Sequence, residues 1–198
     1  MNFAQIKTLQ WADVLIYSLL DPRAMYRYVR DRRTFPIHIT FIIPALACLS
    51  EIVTFALVSG RSSHGGFAYG WIFLFILISV SIIIAASLMD LTAQFLGFKG
   101  NAKEFIAVIN LSLFPKIFLL PAAYIFVIID FAPAFFYCLF SFCLFIWSSI
   151  IEILSISEMH RASFGNSLFI YVFPTLLFSL TMFFSTILLF ISLFQLIF

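Results

Sequence analysis

The sequence predicts an all-α fold: a polytopic membrane bundle of five transmembrane helices, preceded by an amphipathic interfacial N-terminal helix. Three observations predict it. The chain is 64% hydrophobic and 10% charged over 198 residues, where a soluble domain is near half apolar and a quarter charged. Its apolar residues come in runs of about 20 or more, enough to cross a hydrocarbon core. Those runs lack the apolar/polar alternation of lipid-facing barrel strands, which leaves helices as the way to satisfy the backbone in lipid.

Residues 1–35 form a cytoplasmic or interfacial segment and residues 36–198 the membrane domain. In "LLDPRAMYRYVRDRR", Asp21 suits a helix cap and Pro22 its first turn. Arg23, Arg27 and Arg30 then fall on one stripe at i, i+4 and i+7, with Met25, Tyr28 and Val29 elsewhere. This stripe can anchor the helix on anionic headgroups or dock a protein. The spans follow at 36–58, 69–96, 105–129, 133–154 and 167–197, the last with Pro174 as a kink point. The joining segments, such as "SGRSSHGGFA", "GFKGNAKE" and "DFAPA", are short, so successive spans run antiparallel.

Basic residues set the expected direction. Lys7, Arg23, Arg27, Arg30, Arg32, Arg33, Lys99, Lys103 and Arg161 fall on one side of this topology, against Arg61 on the other. The excess marks the cytoplasmic face, so the N-terminus is expected inside and the C-terminus on the far side. A net charge of +2 gives no reason to expect a nucleic-acid partner. Cys48, Cys138 and Cys143 sit in apolar runs with no metal or disulfide spacing. The first 35 residues carry too many charges for a cleavable signal.

Four ionisable residues lie inside spans: Glu51, Asp90, Lys116 and Glu152. At about 1.5 Å per residue, Lys116 is roughly 16 Å into its span, near the bilayer centre. Asp90 and Glu152 are nearer helix ends and are expected to be interfacial and solvated. Lys116 stands between Pro115 and Pro121, each of which removes an amide donor and frees carbonyls. The expectation is a polar pocket of Lys116, Asp90 or Glu51, Asn110 and Pro115, with the ammonium paired to an acid or hydrated. Asn110 and Ser112 are expected to hydrogen-bond across helices. The pocket either fixes helix register or binds a substrate, ion or lipid.

Enzyme signatures are thin. His38, His64 and His160 fall at different membrane edges, and "SEMHR" lacks the spacing of a zinc protease. No catalytic residue, metal or cofactor is expected.

Three stretches resemble the Yip domain family, five-span proteins that interact with Ypt/Rab GTPases. They are "SLLDPRAMYRYV", "QFLGFKGNAKEFIAVINLSLFP" and "IWSSIIEILSISEMHRASFGNSL". The resemblance implies a non-enzymatic membrane scaffold whose partners are lipids, other membrane proteins or a second copy. The sequence lacks the long acidic cytosolic tail of eukaryotic members, so a prokaryotic plasma membrane is the expected home. A Rab-type GTPase is a partner only in a eukaryotic setting. The expected contact surface is Arg23, Arg27, Arg30, Gly97, Gly100, Lys103, Glu158, His160 and Arg161. The alternative is a small transporter, channel or lipid-moving protein built around Lys116.

Overall fold

The structure, a computed structural model, describes residues 13–31, 37–59, 64–129 and 132–177, with residues 180 and 184. Lys7, Arg32, Arg33, Arg61 and most of the expected fifth span lie outside the described residues.

Among the described residues every regular element is helical. Residues 13–20 form α1. They are followed by α2 (Pro22–Asp31), α3 (Ile37–Thr40), α4 (Ile42–Ser59), α5 (His64–Phe95) and α6 (Ala102–Ser112). A 3-10 turn at Phe114–Phe118 leads into α7 (Leu119–Ile129), then α8 (Pro133–His160). The apolar helix Phe164–Leu177 is α9. Four stretches are long and apolar enough to span a bilayer: Ile37–Ser59, Ala68–Phe95, Ala102–Ile129 and Pro133–His160. The chain is thus an all-helical protein suited to membrane integration.

Its surface fits that solvent. Phe55, Phe73, Phe135 and Phe142 all point outward, a pattern that costs nothing in lipid. The interior is built from narrower stripes. On α5, Ile82, Ala86, Met89 and Ala93 are buried at successive spacings of four, three and four. They meet Phe105 and Ile109 of α6, Ile156 of α8 and Ile170 of α9. The two alanines let the neighbouring backbone approach closely.

The third span is one apolar run but not one helix. Proline at 115 cannot donate to the Leu111 carbonyl, and proline at 121 cannot donate to that of Ile117. Between them the chain tightens into the 3-10 turn, with Lys116 N–H donating to the Leu113 carbonyl at 3.0 Å. Ser50 of α4 repairs the break. Its hydroxyl lies 3.2 Å from the carbonyls of both Lys116 and Ile117 and accepts the Leu120 N–H at 3.1 Å.

Two helices stop by the same device with different residues. α5 ends at Gly97, whose φ of 84° turns the chain left-handed. Gly97 and Phe98 N–H then bond the carbonyls of Gln94 and Ala93 at 2.9 and 3.0 Å, which is a Schellman closure. α8 ends at Arg161, φ 48°, with Ala162 N–H donating to Ser157 at 3.0 Å. An arginine there carries the left-handed cost that glycine avoids. The expected loop from 155 is in fact helical to His160.

α2 does not simply lie on headgroups. Asp21 caps it, its Oδ1 accepting Ala24 N–H at 3.1 Å. Pro22, Met25 and Tyr26 are buried, while Arg23, Arg27 and Arg30 are exposed. The apolar side packs on the bundle, where Met25 joins Val14, Ile43, Leu111 and Ile151.

Candidate functional site

Polar side chains gather in two places: at the end of the bundle where α2, α6 and α8 meet, and inside the membrane around the 3-10 turn.

The first is the basic end. Tyr26 donates its hydroxyl to Glu104 Oε2 at 2.5 Å, and Asn101 Nδ2 donates to Glu104 Oε1 at 2.5 Å. Glu104 sits in the first turn of α6, where the helix dipole favours an acid. Burial, and then this hydrogen bond and the Glu104 charge, raise the Tyr26 phenol well above its ordinary value. Arg27 Nε pairs with Glu158 Oε1 at 3.8 Å, and the Arg30 guanidinium lies 5.7 Å from the Tyr26 ring centroid. Ser155 Oγ reaches the Pro22 carbonyl at 3.4 Å. These contacts tie α2 to the ends of α6 and α8.

Between these elements lies a cleft of ≈ 440 Å³ whose lining includes Tyr26, Phe98, Lys99, Glu104, His160 and Arg161. The His160 ring packs beside Phe98 and Phe105, at centroid distances of 5.2 and 5.5 Å. Its Nε2 is shielded from solvent and has no hydrogen-bond partner among the described residues. Beneath Gly100 lies Asp90, with Oδ2 accepting from Gln94 Nε2 at 2.9 Å and Oδ1 buried without a partner. A Cβ at Gly100 would collide with Gln94 Nε2 and stand 2.9 Å from Asp90 Oδ1, so glycine here permits close approach. The sequence-predicted surface residues Arg23, Arg27, Arg30, Gly97, Gly100, Lys103, Glu158, His160 and Arg161 all lie on the elements that meet at this end.

The second set is intramembrane, and here the structure departs from the expected pocket. Lys116 is half-buried and has no carboxylate within 4.0 Å among the described residues. Asp90 is not its partner; that acid belongs to the basic end, against Gly100. Glu51 is half-buried on α4 and makes no ion pair among the described residues. The acid most deeply placed is Glu152, only 8% exposed. It accepts the Ser112 hydroxyl at 2.6 Å, and the Lys116 charge reaches it electrostatically. The expectation of a solvated Glu152 rests on its closeness to the helix end. Glu152 is covered because α8 continues to His160 and α2 packs over its last turns.

Asn110 Nδ2 donates to Thr40 Oγ1 at 2.6 Å, and its Oδ1 is buried without a partner. Pro115 is buried at the start of the 3-10 turn.

Sequence reasoning missed Tyr26 and Ser50 and misjudged Glu152. Two of these left a signal. Pro22, Met25, Tyr26 and Val29 recur at i, i+3, i+4 and i+7, the spacing of a packed stripe. Ser148, Glu152 and Ser155 fall at i, i+4 and i+7 on α8, a polar stripe that would face an interior. Ser50 left none, because its role depends on a break 66 residues away.

Among the described residues no group of three or more His, Cys, Asp or Glu could hold a metal ion. No protein-family model, curated protein or solved structure matches the chain.

Proposed function

We propose that the chain is a non-enzymatic membrane scaffold of the Yip-like kind, with five spans and its basic end in the cytoplasm. One observation carries the reading. The arginine row of α2 is exposed, yet the helix bearing it is fixed to the bundle through buried Met25 and Tyr26 and the Tyr26–Glu104 hydrogen bond. Lys99, Lys103 and Arg161 are exposed on neighbouring elements. A rigid, multi-element cationic face attracts acidic partners: anionic headgroups and acidic segments of other membrane proteins. A prokaryotic plasma membrane is the setting in which this face would work.

The test is photo-crosslinking in native membranes from a reactive residue placed at Lys103. Wild type should give discrete crosslinks to protein. Arg23, Arg27 and Arg30 all changed to Glu should abolish them while insertion and folding persist. An unchanged pattern in that variant would overturn the reading.

A second reading, a small transporter, is favoured by the intramembrane group of Lys116, Ser112 and Glu152. It predicts solute or ion flux in proteoliposomes that Lys116→Met abolishes without loss of folding. Flux unaffected by Lys116→Met removes this alternative.

A further inference from the structure

The cleft at the basic end separates its charges by depth. Lys99 and Arg161 are exposed residues at its edge. Further in stands Glu104, half-buried, its two carboxylate oxygens held by Tyr26 and Asn101. The charges of Asp90 and Glu104 both reach the His160 ring. A purely anionic ligand entering this cleft meets the Glu104 carboxylate. A purely cationic one must pass two cations. A zwitterion with its anion outside and its cation inside meets neither repulsion.

Position narrows the ligand further. The flanking spans end at Phe95 and His160, so the cleft opens at the level where lipid headgroups begin. Its ≈ 440 Å³ is within the range of small-ligand sites. The inner group is a hydrogen-bond acceptor: the Glu104 carboxylate, whose oxygens already take one donor each and keep lone pairs for more. It calls for a cation with N–H donors. A quaternary ammonium has none and is instead recognised by free aromatic faces; here the Arg30 guanidinium is already over the Tyr26 ring, and Phe98 is engaged with His160.

We propose that this cleft binds the headgroup of an aminophospholipid from the surrounding bilayer, with its phosphate on Lys99 and Arg161 and its primary ammonium on the Glu104 carboxylate. The inference rests on the scaffold reading for the placement of this end at a headgroup layer. It adds a specific lipid site to what is otherwise a general cationic face.

The test is native mass spectrometry of the full chain in mild detergent with equimolar phosphatidylethanolamine, phosphatidylcholine and phosphatidylglycerol of identical acyl chains. The expected result is ethanolamine-lipid adducts about tenfold more abundant than either competitor, the equivalent of one charged hydrogen bond. Glu104→Gln should erase the advantage over the choline lipid. That variant also touches the Tyr26 contact, so a second one, Arg161→Gly, guards against misfolding. It removes an edge cation and relieves the φ of 48°, and it should weaken the ethanolamine adduct several-fold while leaving the fold at least as stable. Equal retention of the three lipids, a preference for phosphatidylglycerol, or wild-type selectivity in both variants would overturn the proposal. Changing Arg23 and Arg27 to Glu, which leaves Arg30 over the Tyr26 ring, should weaken crosslinking and leave selectivity intact. Lost crosslinking with intact lipid selectivity, or the reverse, therefore shows which reading has failed.

Discussion

The basic end and the middle of the bundle hold their polar groups in opposite ways. At the end, charges are numerous and meet across elements: Arg27 with Glu158, and Glu104 with Tyr26 and Asn101. In the middle, Lys116 and Glu152 are within electrostatic range yet make no ion pair. There the hydroxyls of Ser50, Ser112 and Thr40 serve backbone carbonyls, a carboxyl and an amide. The difference follows from solvent. Water at the end keeps a charge inexpensive even when its partner moves. Inside, an ion pair must offset the desolvation of both members, whereas a neutral donor satisfies an acceptor without that cost.

The strongest way to break this comparison is to force like charge into the middle. Glu152→Lys would place a second ammonium near Lys116 at a site only 8% exposed. The expected loss is about 3–5 kcal/mol, seen as little or no monodisperse protein after heating in detergent. Glu152→Gln keeps an oxygen for the Ser112 hydroxyl and should stay within about 1 kcal/mol of wild type. A lysine variant as stable as the glutamine one would mean that water already fills this region.

Next in size is Ser50→Ala. It strips the donor from the Ile117 carbonyl, which Pro121 leaves without its helical partner, and the acceptor from the Leu120 N–H. About 2 kcal/mol is expected, read as a lower melting temperature in the same assay. Ser81→Ala, which removes only an exposed bond to its own helix at 2.8 Å, should change little. Equal effects would show that the proline break needs no repair.

These two sites also show what was legible in the sequence. The helical class and the apolar spans followed from composition and run length, because lipid imposes both directly. The gathering of the basic segments at one end followed from short connections. The broken third span could be read from Pro115 and Pro121. The group that fills the break could not, since a serine inside an apolar run has no signature until α4 and the turn are brought together. The acid facing Lys116 was misjudged for a related reason. Its closeness to the helix end gave the wrong answer because α2 covers that end.

At the basic end, Tyr26→Phe should cost about 1.5 kcal/mol, the loss of a hydrogen bond to a carboxylate. It should also change the pH profile. The Tyr26 phenol is raised above its ordinary value of 10.0 by burial and by Glu104, so the folded state favours the protonated form. Its contribution is therefore complete below about pH 10 and falls as pH rises beyond it. Wild type should lose stability relative to Tyr26→Phe between about pH 10 and 11 in chemical denaturation in detergent. Parallel profiles would mean that the phenol is not held by Glu104.

The smallest expected effect is the most informative about the end as a whole. Arg27 pairs with Glu158 at 3.8 Å, with side-chain exposures of 53% and 28%. Such a pair is worth about 0.5 kcal/mol or less and is screened by salt. Arg27→Ala should thus leave melting nearly unchanged, and any difference should vanish at high ionic strength. The same substitution should still weaken crosslinking to acidic partners, because it removes one of three cations from the exposed row. If instead it destabilised the fold as much as Tyr26→Phe, the arginines would be structural ties. An unchanged fold with reduced docking is what a surface kept charged for its partners requires, since its cations must stay wet enough to be exchanged for those of a bound partner's environment.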